Sequence, residues 1–439
     1  MRQPLNVSAT TFKAIFRERF APQFITALLR ACGVRRRRPP AVSAFELIAA
    51  LVFHVVAGPG KLAAHVKLVT GKTITDGALS QRRALLPVEV FDGLLRAALE
   101  PKANPKQHPD AFYQGLRLCG LDGSTFSITN TPQVKKTLKK ARSRRGRAAF
   151  AKVGVAVMVE LGLHNPLVAA LGAQGESEMV LARRVLAQQP DQSLLINDRY
   201  YGVPALLVDL SEDGQRHFLF RVKANLKRRL IEILPDGSAW VEIGSGEKKR
   251  QVREILARVQ RGQSGKFTTV RLWTSLLDWR RYPASELVAL YGRRWEQETF
   301  YKELKVDMRS TPYLQSHTPL TAMQEIAALI VAYAVLVDYR IEAANVGQVG
   351  VLRISFLKTF ALIQGLWRFL EVSADLLGPD KIRLVVRRTL RQIAEAAIPK
   401  RRQRSCPRAL RQPVSSWPRL KKNTYQNGAI EYSVGKIYA

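Results

Sequence analysis

The sequence predicts a mixed α/β fold between two helical regions, and two patterns carry this prediction. From residue 116 onwards, short apolar segments of strand length follow one another, and valines alternate at period two along residues 153–159. After the third segment, helical patterns alternate with strands, and the resulting order β-β-β-α-β-α-β is typical of a mixed sheet. The predicted strands span residues 116–121, 150–161, 167–173, 194–196 and 218–222, and the predicted helices span 177–186 and 203–210.

Composition excludes wholesale disorder and favours a polyanionic partner. The chain of 439 residues is 46% apolar, which is enough to bury a core. Its 70 Lys and Arg against 35 Asp and Glu give a net charge of +35, so nucleic acid is the first candidate partner and an anionic membrane surface the second. Three scattered cysteines fit a reducing compartment. The longest uncharged apolar run, residues 326–337, is too short to cross a bilayer, so we expect a soluble cytoplasmic protein.

Residues 1–100 are predicted to form a helical N-terminal domain. Ser43 and Glu46 make an S-x-x-E capping box ahead of an apolar run, and a further helix is expected over residues 87–99. This region includes the basic run 35–38 and is interpreted as a DNA-binding domain. A helical cap with a solvated basic loop fits the same pattern equally well.

Changes of pattern divide the remaining chain. Residues 112–225 and 276–345 are predicted to form the α/β core. Between them, the polar and glycine-bearing residues 226–275 are predicted to form a β-rich insertion. Residues 346–439 are predicted to form a helical C-terminal region with a basic tail at 399–422. A long helix is expected from Pro283 to about Met308. Thr321 and Gln324 predict a second capping box before the apolar helix 326–337, which is interpreted as core or as a dimer surface.

Helical spacing places four polar side chains on one face of the predicted helix. Tyr291, Arg294, Glu298 and Lys305 fall within about 60° of one another at 100° per residue. An acid between two cations and a tyrosine is suited to holding a metal ion beside phosphates. The alternative is a solvated face with Arg294–Glu298 and Glu298–Lys302 ion pairs.

Two aspartates follow predicted strands and favour the metal site over the solvated face. Asp122 follows the strand 116–121, and Asp198 follows the strand 194–196. A hairpin turn at Asp122-Gly123 and a helix cap at Asp198 are the alternatives. Ligand sites gather at the carboxyl ends of strands, so the two aspartates and Glu298 are candidates for a shared metal centre. Their hard oxygens suit Mg²⁺ or Mn²⁺, and two such ions can activate a water or 3′-hydroxyl for phosphodiester displacement without a covalent nucleophile.

These motifs together resemble a known family. The spacing Tyr291-x2-Arg294-x3-Glu298-x6-Lys305 is similar to the Y-R-E-K signature of bacterial insertion-sequence transposases of the DDE type. The segments 122–125 (Asp-Gly-Ser-Thr) and 198–202 (Asp-Arg-Tyr-Tyr-Gly) resemble the first and second aspartate motifs of that family, although Tyr200 stands where glycine is more usual. The resemblance covers residues 112–340.

The resemblance implies a ribonuclease-H-like catalytic core with a β-rich insertion before the last acid. It implies an enzyme that cleaves at the ends of a mobile element and transfers the 3′-ends into target DNA by cut-and-paste transposition. Asp122, Asp198 and Glu298 would be the catalytic triad holding two Mg²⁺ or Mn²⁺ ions. The residues that would contact DNA are Tyr291, Arg294, Lys305 and Arg199. The expected partners are double-stranded terminal inverted repeats, target DNA and a second subunit in a synaptic homodimer, with the protein at the bacterial nucleoid.

Two rival functions remain open from the sequence. One is a DNA-binding protein that keeps the fold without chemistry, and the other is a metal-dependent nuclease without strand transfer. Basic residues between the first two predicted strands, expected on a loop, suit phosphate contact in all three cases (Lys135, Lys136, Lys139, Lys140, Arg142, Arg144, Arg145 and Arg147). Trp240 and Trp273 of the insertion are interpreted as core residues.

Overall fold

A computed structural model describes residues 11–398 except 35–37, 59, 139, 141, 144–145, 173–175, 212–213 and 261–266. The basic tail expected at 399–422 and most of the basic run 35–38 therefore lie outside the described residues.

Fourteen α-helices occur among the described residues. They are α1 Phe12–Arg19, α2 Pro22–Ala31, α3 Ala44–Ala57, α4 Leu62–Thr70, α5 Asp76–Ala84, α6 Val88–Ala98, α7 Pro132–Thr137, α8 Glu178–Leu186, α9 Pro204–Leu210, α10 Ala284–Tyr291, α11 Trp295–Lys302, α12 Pro319–Gly347, α13 Phe356–Ser373 and α14 Pro379–Glu395. A 3₁₀ turn, Gly292–Arg294, joins α10 to α11, and a π-helical turn, Glu303–Asp307, follows α11.

Thirteen strands are found in the same described part of the chain. They are β1 Phe112–Tyr113, β2 Leu116–Ile128, β3 Arg142–Ser143, β4 Gly146–Arg147, β5 Ala151–Glu160, β6 Asn165–Leu171, β7 Ser193–Asn197, β8 Arg216–Arg221, β9 Arg229–Ile233, β10 Ala239–Ser245, β11 Lys248–Gln260, β12 Phe267–Thr274 and β13 Tyr313–Leu314.

The predicted mixed α/β arrangement is confirmed as one large sheet. Its order is β6-β5-β2-β7-β8-β12-β11-β10-β9, with β1 and β13 also paired to β2. The first three strands, β2, β5 and β6, form an antiparallel meander, whereas β7 and β8 run parallel to β2 and are separated by α9. The β-rich stretch 226–275 continues the same sheet, because β12 pairs antiparallel with β8.

The N-terminal capping box forms as expected. The Ser43 hydroxyl accepts from the Glu46 amide at 3.1 Å, and the Ser43 amide donates to the Glu46 carboxylate at 2.8 Å. These bonds satisfy two amide donors that a helix start leaves unpaired, so α3 begins where the sequence indicates. Its apolar residues 47–53 are buried against α12 and its neighbours.

The second capping box lies one turn earlier than predicted. Thr318, in an extended conformation, caps α12 and exchanges hydrogen bonds with Thr321, so the expected Thr321–Gln324 box is wrong. Pro319 fixes this start, because proline fits the first helical position, where no amide donor is needed. Gln324 is instead fully buried, and its amide nitrogen donates to the carbonyls of Arg83 and Leu86.

The apolar helix α12 is a core element. Its residues Leu329–Val337 are almost wholly buried between α3, α6, α13 and α14, which excludes a dimer surface for this face. By length and composition α12 could cross a membrane, but 89% of its most apolar window is buried inside the protein. This burial is typical of a central helix in a globular core.

Two further expectations are corrected. The helix expected from Pro283 to Met308 is divided into α10, the 3₁₀ turn, α11 and the π-helical turn. The basic residues expected on a loop after β2 lie partly in regular structure, since α7 carries the exposed Lys135 and Lys136, and β3 and β4 carry Arg142 and Arg147.

Candidate active site

Asp122 lies inside a strand and not in a turn. Strand β2 continues to Ile128, so the hairpin interpretation of Asp122-Gly123 is wrong. Asp122 pairs in register with Val157 of β5, and helix α11 binds the backbone of both residues. The Tyr301 hydroxyl donates to the Asp122 carbonyl at 2.7 Å, and the Gln297 amide donates to the Val157 carbonyl at 3.1 Å. These bonds fix the helix that carries Glu298 against the strand that carries Asp122.

Asp198 lies directly after the neighbouring strand β7, at the position equivalent to Asp122. Cys119 of β2 pairs in parallel with Leu195 of β7, and Asp122 and Asp198 each lie three residues further on. Adjacent strands are about 4.8 Å apart, so equal register brings the two carboxylates together. The Asn197 side chain also accepts a hydrogen bond from the Leu121 amide at 2.9 Å. This bond joins the two strands directly before the aspartates.

A third carboxylate, Glu178, lies beside this pair and was not predicted. It is the first residue of α8, capped by Ser177, and its side chain lies over Gly123. A Cβ atom added at Gly123 would be 2.2 Å from the Glu178 Cγ, so only glycine leaves room for this approach. The Tyr201 hydroxyl donates to Glu178 at 2.7 Å. No spacing rule links residues 123 and 178, so the sequence offered no signal for this contact.

The crowded carboxylates change the pKa of Asp122. Burial raises this pKa, and the negative charges of Glu178 and Asp198 raise it further, to about 7. The Gly123 amide and the charge of Arg294 act in the opposite direction. The site therefore favours a proton or a cation at Asp122.

The residues of the predicted helical stripe remain linked to one another or to the sheet, despite the break in the helix. Arg294 donates to the Glu298 carboxylate at 2.9 Å, and its charge also acts on Asp122. Lys305 reaches strand β2, where its ammonium donates to the Ser124 hydroxyl and the Thr125 carbonyl at 2.9 Å each. Tyr291 is partly buried and hydrogen-bonded to Arg294.

The solvated-face alternative holds only in part. The Arg294–Glu298 pair exists, but the expected Glu298–Lys302 pair is wrong. Lys302 instead binds both carboxylate oxygens of Asp307 at 2.7 Å, across the π-helical turn. Phe300 and Leu304, on the opposite side of the predicted helix, are fully buried in the core.

The residues after Asp198 form a tight loop. The Tyr200 amide donates to the Asp198 carboxylate at 2.8 Å, and Arg199 and Tyr200 are exposed. Gly202 meets the end of β8 so closely that an added Cβ would lie 2.4 Å from the Arg221 carbonyl oxygen. Glycine is therefore required at position 202 for packing. The side chain of Arg199 lines a cavity that also contains Arg221 and Arg271.

The donor set for a metal ion is only partly assembled. Among the residues described, no group of three or more His, Cys, Asp or Glu side chains is arranged to hold a metal ion. Asp122 and Asp198 supply neighbouring hard oxygens of the kind that Mg²⁺ and Mn²⁺ prefer. The Glu298 carboxylate is engaged with Arg294. The raised pKa of Asp122 fits a place where a cation would relieve repulsion between carboxylates.

Of the two tryptophans expected in the core, Trp273 lies there, whereas Trp240 is only partly buried. Trp273 is fully buried and donates to the Glu254 carboxylate at 2.9 Å. Trp240 donates to the Leu277 carbonyl at 3.2 Å.

Comparison with known proteins identifies the family. The model of the transposase DDE domain matches residues 114–335, a span that contains Asp122, Asp198 and Glu298. The chain is 25% identical over 360 residues to the transposase InsG for insertion sequence element IS4 of Escherichia coli K12, covering 80% of each chain. It is 27% identical over 158 residues to the putative transposase InsZ of the same organism, covering 36% of this chain and 52% of the relative. The chain therefore belongs to the bacterial insertion-sequence transposases with a DDE domain.

Proposed function

We propose that this protein cleaves DNA at the ends of a mobile element and transfers the 3′-ends into target DNA by a cut-and-paste route. The observation that supports it most is the equal register of Asp122 and Asp198 on neighbouring parallel strands, with the Glu298 helix bonded to β2. The strand order β6-β5-β2-β7-β8 supports a ribonuclease-H-like core. The spacing of Tyr291, Arg294, Glu298 and Lys305 supports an assignment to the Y-R-E-K branch of the family.

Membership of the family implies a divalent metal, and we assign Asp122, Asp198 and Glu298 as the residues that would hold it. Two Mg²⁺ or Mn²⁺ ions bound there would activate the attacking water or 3′-hydroxyl and stabilise the leaving oxygen. Glu178 and Asp198 raise the pKa of Asp122 and so favour cation binding. The remaining catalytic contribution of the chain is positioning and charge.

The cations around the carboxylates would hold the DNA backbone. Lys305 is fixed above β2 by its bonds to Ser124 and Thr125, which places a positive charge within three residues of Asp122. Arg294 lies between Glu298 and the hydroxyl of Tyr291. We assign these three, with the exposed Arg199, to phosphate contacts beside the cleaved bond.

The wider assignment follows the division of the chain. We propose that residues 1–100 bind DNA, that 112–225 and 276–345 form the catalytic core around the insertion 226–275, and that 346–439 form a helical C-terminal region with a basic tail. The substrates would be terminal inverted repeats and target DNA, bound by a synaptic homodimer at the nucleoid.

The test is a strand-transfer assay. Purified protein is incubated with labelled fragments of its own flanking DNA and a target plasmid, with Mg²⁺ or with EDTA. Metal-dependent joined products are expected, and Asp122→Asn should abolish them while DNA binding persists. The matched control is Asp209→Asn, because Asp209 is an exposed partner of Arg183 away from the site.

Each rival has its own outcome in this assay. Metal-dependent cutting without joined products would establish the nuclease. Binding without any cutting would establish the non-catalytic DNA-binding protein. Joining that survives in Asp122→Asn would overturn the assignment of the site.

A further inference from the structure

A basic cavity of about 640 Å³ opens beside the carboxylates. It lies between the loop after Asp198, the turn that follows β8, and the inner part of β11 and β12. Five cationic side chains line it: Arg199, Arg221, Lys223, Arg228 and Arg271. No acidic side chain is among the described residues of its lining. Its volume falls within the range of about 300–1,000 Å³ that is typical of ligand sites.

The positive charge of the cavity is largely uncompensated. Arg228 and Arg271 share one carboxylate, that of Glu254, which is nearly fully buried behind them. Five cations against one acid leave four positive charges in excess at a concave surface. Concave surfaces of one charge sign focus the electric field, so this cavity attracts an anion more strongly than scattered surface lysines do.

Arg271 supplies an independent sign of a ligand. It is only 8% exposed, and it holds the turn after β8 through bonds to the carbonyls of Ala224 and Leu226 at 2.9 and 3.0 Å. Its Nε donates to Glu254, but its Nη2 is buried with no hydrogen-bond partner among the described residues. Buried donors are nearly always paired, so an unpaired guanidinium nitrogen on a residue that lines the cavity is consistent with an acceptor from outside the described residues.

The lining indicates recognition of a backbone and not of bases. None of its described residues is aromatic. Trp273 lies below Arg271, 4.9 Å from the ring centre to the guanidinium carbon, and is fully buried. Base recognition on single strands depends on exposed aromatic faces, whereas a groove of cations follows the phosphates.

The lining of the cavity includes residues that adjoin the candidate active site. Arg199 follows Asp198 directly, and Arg221 ends the strand next to β7. Burial raises the pKa of Tyr291, and the nearby charges of Arg294 and Arg221 oppose that rise. Arg221 is therefore close to Tyr291 at the end of α10, the helix that precedes the 3₁₀ turn and α11.

We propose that this cavity binds consecutive phosphates of one separated DNA strand as it leaves the catalytic carboxylates. The proposal rests on the proposed function and adds a substrate class to it, namely single-stranded DNA held by its backbone. A groove of cations that follows the backbone is typical of single-strand binding. The phosphate contacts would be made by Arg271 and by three further cations, Arg199, Arg221 and Lys223. Among the described residues, these three bind no carboxylate.

The test measures binding without chemistry. Asp122→Asn protein in EDTA is titrated into a fluorescent single-stranded oligonucleotide and, separately, into a duplex of the same sequence. Adding Arg221→Gln and Lys223→Gln should weaken single-strand binding about tenfold or more and duplex binding about threefold or less. The slope of log affinity against log salt should fall by about 0.7 for each lost contact with a single strand, hence by about 1.4.

The control for these variants is a lysine outside the cavity. Lys248→Gln removes an exposed lysine from the same region, at the start of β11 and outside the cavity, and should change neither affinity. Unchanged thermal unfolding of the double variant shows that it folds. Equal losses for single strand and duplex, or no loss, would overturn the proposal. Competition by inorganic phosphate or a mononucleotide as strong as that by the oligonucleotide would also overturn it, because the ligand would then be a free phosphate compound.

The two proposals fail separately. Retained single-strand affinity in the double variant, with joined products lost in Asp122→Asn, would refute the cavity and leave the transposase mechanism intact. Single-strand binding that depends on Arg221 and Lys223 in a protein that never joins DNA would do the reverse.

Discussion

Gly123 has no side chain, and this lets Glu178 approach the strand beside Asp122. The Glu178 Cγ lies 2.2 Å from the position where a Cβ of residue 123 would stand, and the Glu178 carboxylate is close enough to raise the pKa of Asp122. A glycine next to an aspartate is usually explained by a turn, but here the strand continues through both residues. The glycine is explained by close packing between β2 and the first turn of α8.

Gly123→Ala should therefore destabilise the protein. The added methyl group cannot coexist with Glu178 in place, and we expect the free energy of unfolding to fall by about 1–3 kcal/mol. Urea denaturation measures this change. Gly77→Ala is the control, because nothing lies within 4 Å of its Cβ position and alanine in a helix should stabilise by about 0.5–1 kcal/mol. Adding Glu178→Ala to Gly123→Ala should recover at least half of the loss. A Gly123→Ala protein as stable as the wild type would contradict the placement of Glu178.

A buried polar network lies at the C-terminal end of α11, the helix that carries Glu298. Glu303, in the π-helical turn after α11, accepts from His164 at 2.9 Å and also binds Tyr333 and Arg340. Burial alone would raise the pKa of Glu303. The charges of His164 and Arg340 and the hydrogen bonds from His164 and Tyr333 outweigh burial and hold this pKa at about 2.

This depressed pKa predicts an acid-sensitive contribution to stability. A carboxylate with a lower pKa in the folded state stabilises that state above its unfolded pKa, near 4.5, and the contribution is lost as the pH falls towards 2. Glu303→Gln should reduce the free energy of unfolding by about 1–3 kcal/mol at pH 6, and the difference from wild type should shrink steadily below pH 4.5. Denaturation curves across this pH range measure the difference. A difference independent of pH would show that Glu303 is not ionised in the folded protein.

The elements differ in how far the sequence could predict them. Strands such as β5 and β7 are apolar and bounded by turns, and α3 and α8 have serine caps, so local chemistry indicated them. The division of the helix after Pro283 depends on contacts of Tyr301 and Glu303 with distant residues, which no local pattern records. The pairing of β12 with β8 is likewise a long-range contact.

The candidate site was predictable where spacing determined it. Asp122 inside β2 and Asp198 directly after β7 were found from the apolar strands that precede them, and Lys305 was found from its helical spacing to Glu298. Glu178 and the cavity around Arg271 were missed, because both arise where segments far apart in the chain meet. The assignment of chemical roles remains a prediction for the assays above.

At the scale of the whole molecule, the charge of +35 dominates encounters with DNA. Exposed cations occur on several described elements, including Lys135 of α7 and Arg387 and Arg388 of α14. Each phosphate neutralised on a duplex releases condensed counterions, so affinity depends steeply on salt.

We expect duplex affinity to fall about 10³-fold or more between 50 and 200 mM salt, which corresponds to roughly six or more phosphate contacts. Fluorescence anisotropy with an unrelated duplex measures this fall, and the terminal repeats of the element provide the comparison. A slope near zero on a plot of log affinity against log salt would refute electrostatic dominance.

The bond between β8 and β12 has a consequence for how this protein could be shortened. Strand β8 carries the apolar side chains Phe218, Leu219 and Phe220 and is covered along its outer edge by β12. Excision of residues 226–275 would uncover a row of unpaired amides and carbonyls on a strongly apolar strand. Such an edge is a template for pairing with other chains, so a minimal core made by this excision should aggregate. Residues 226–275 thus protect the edge of β8 from pairing with other chains, and they also line the basic cavity.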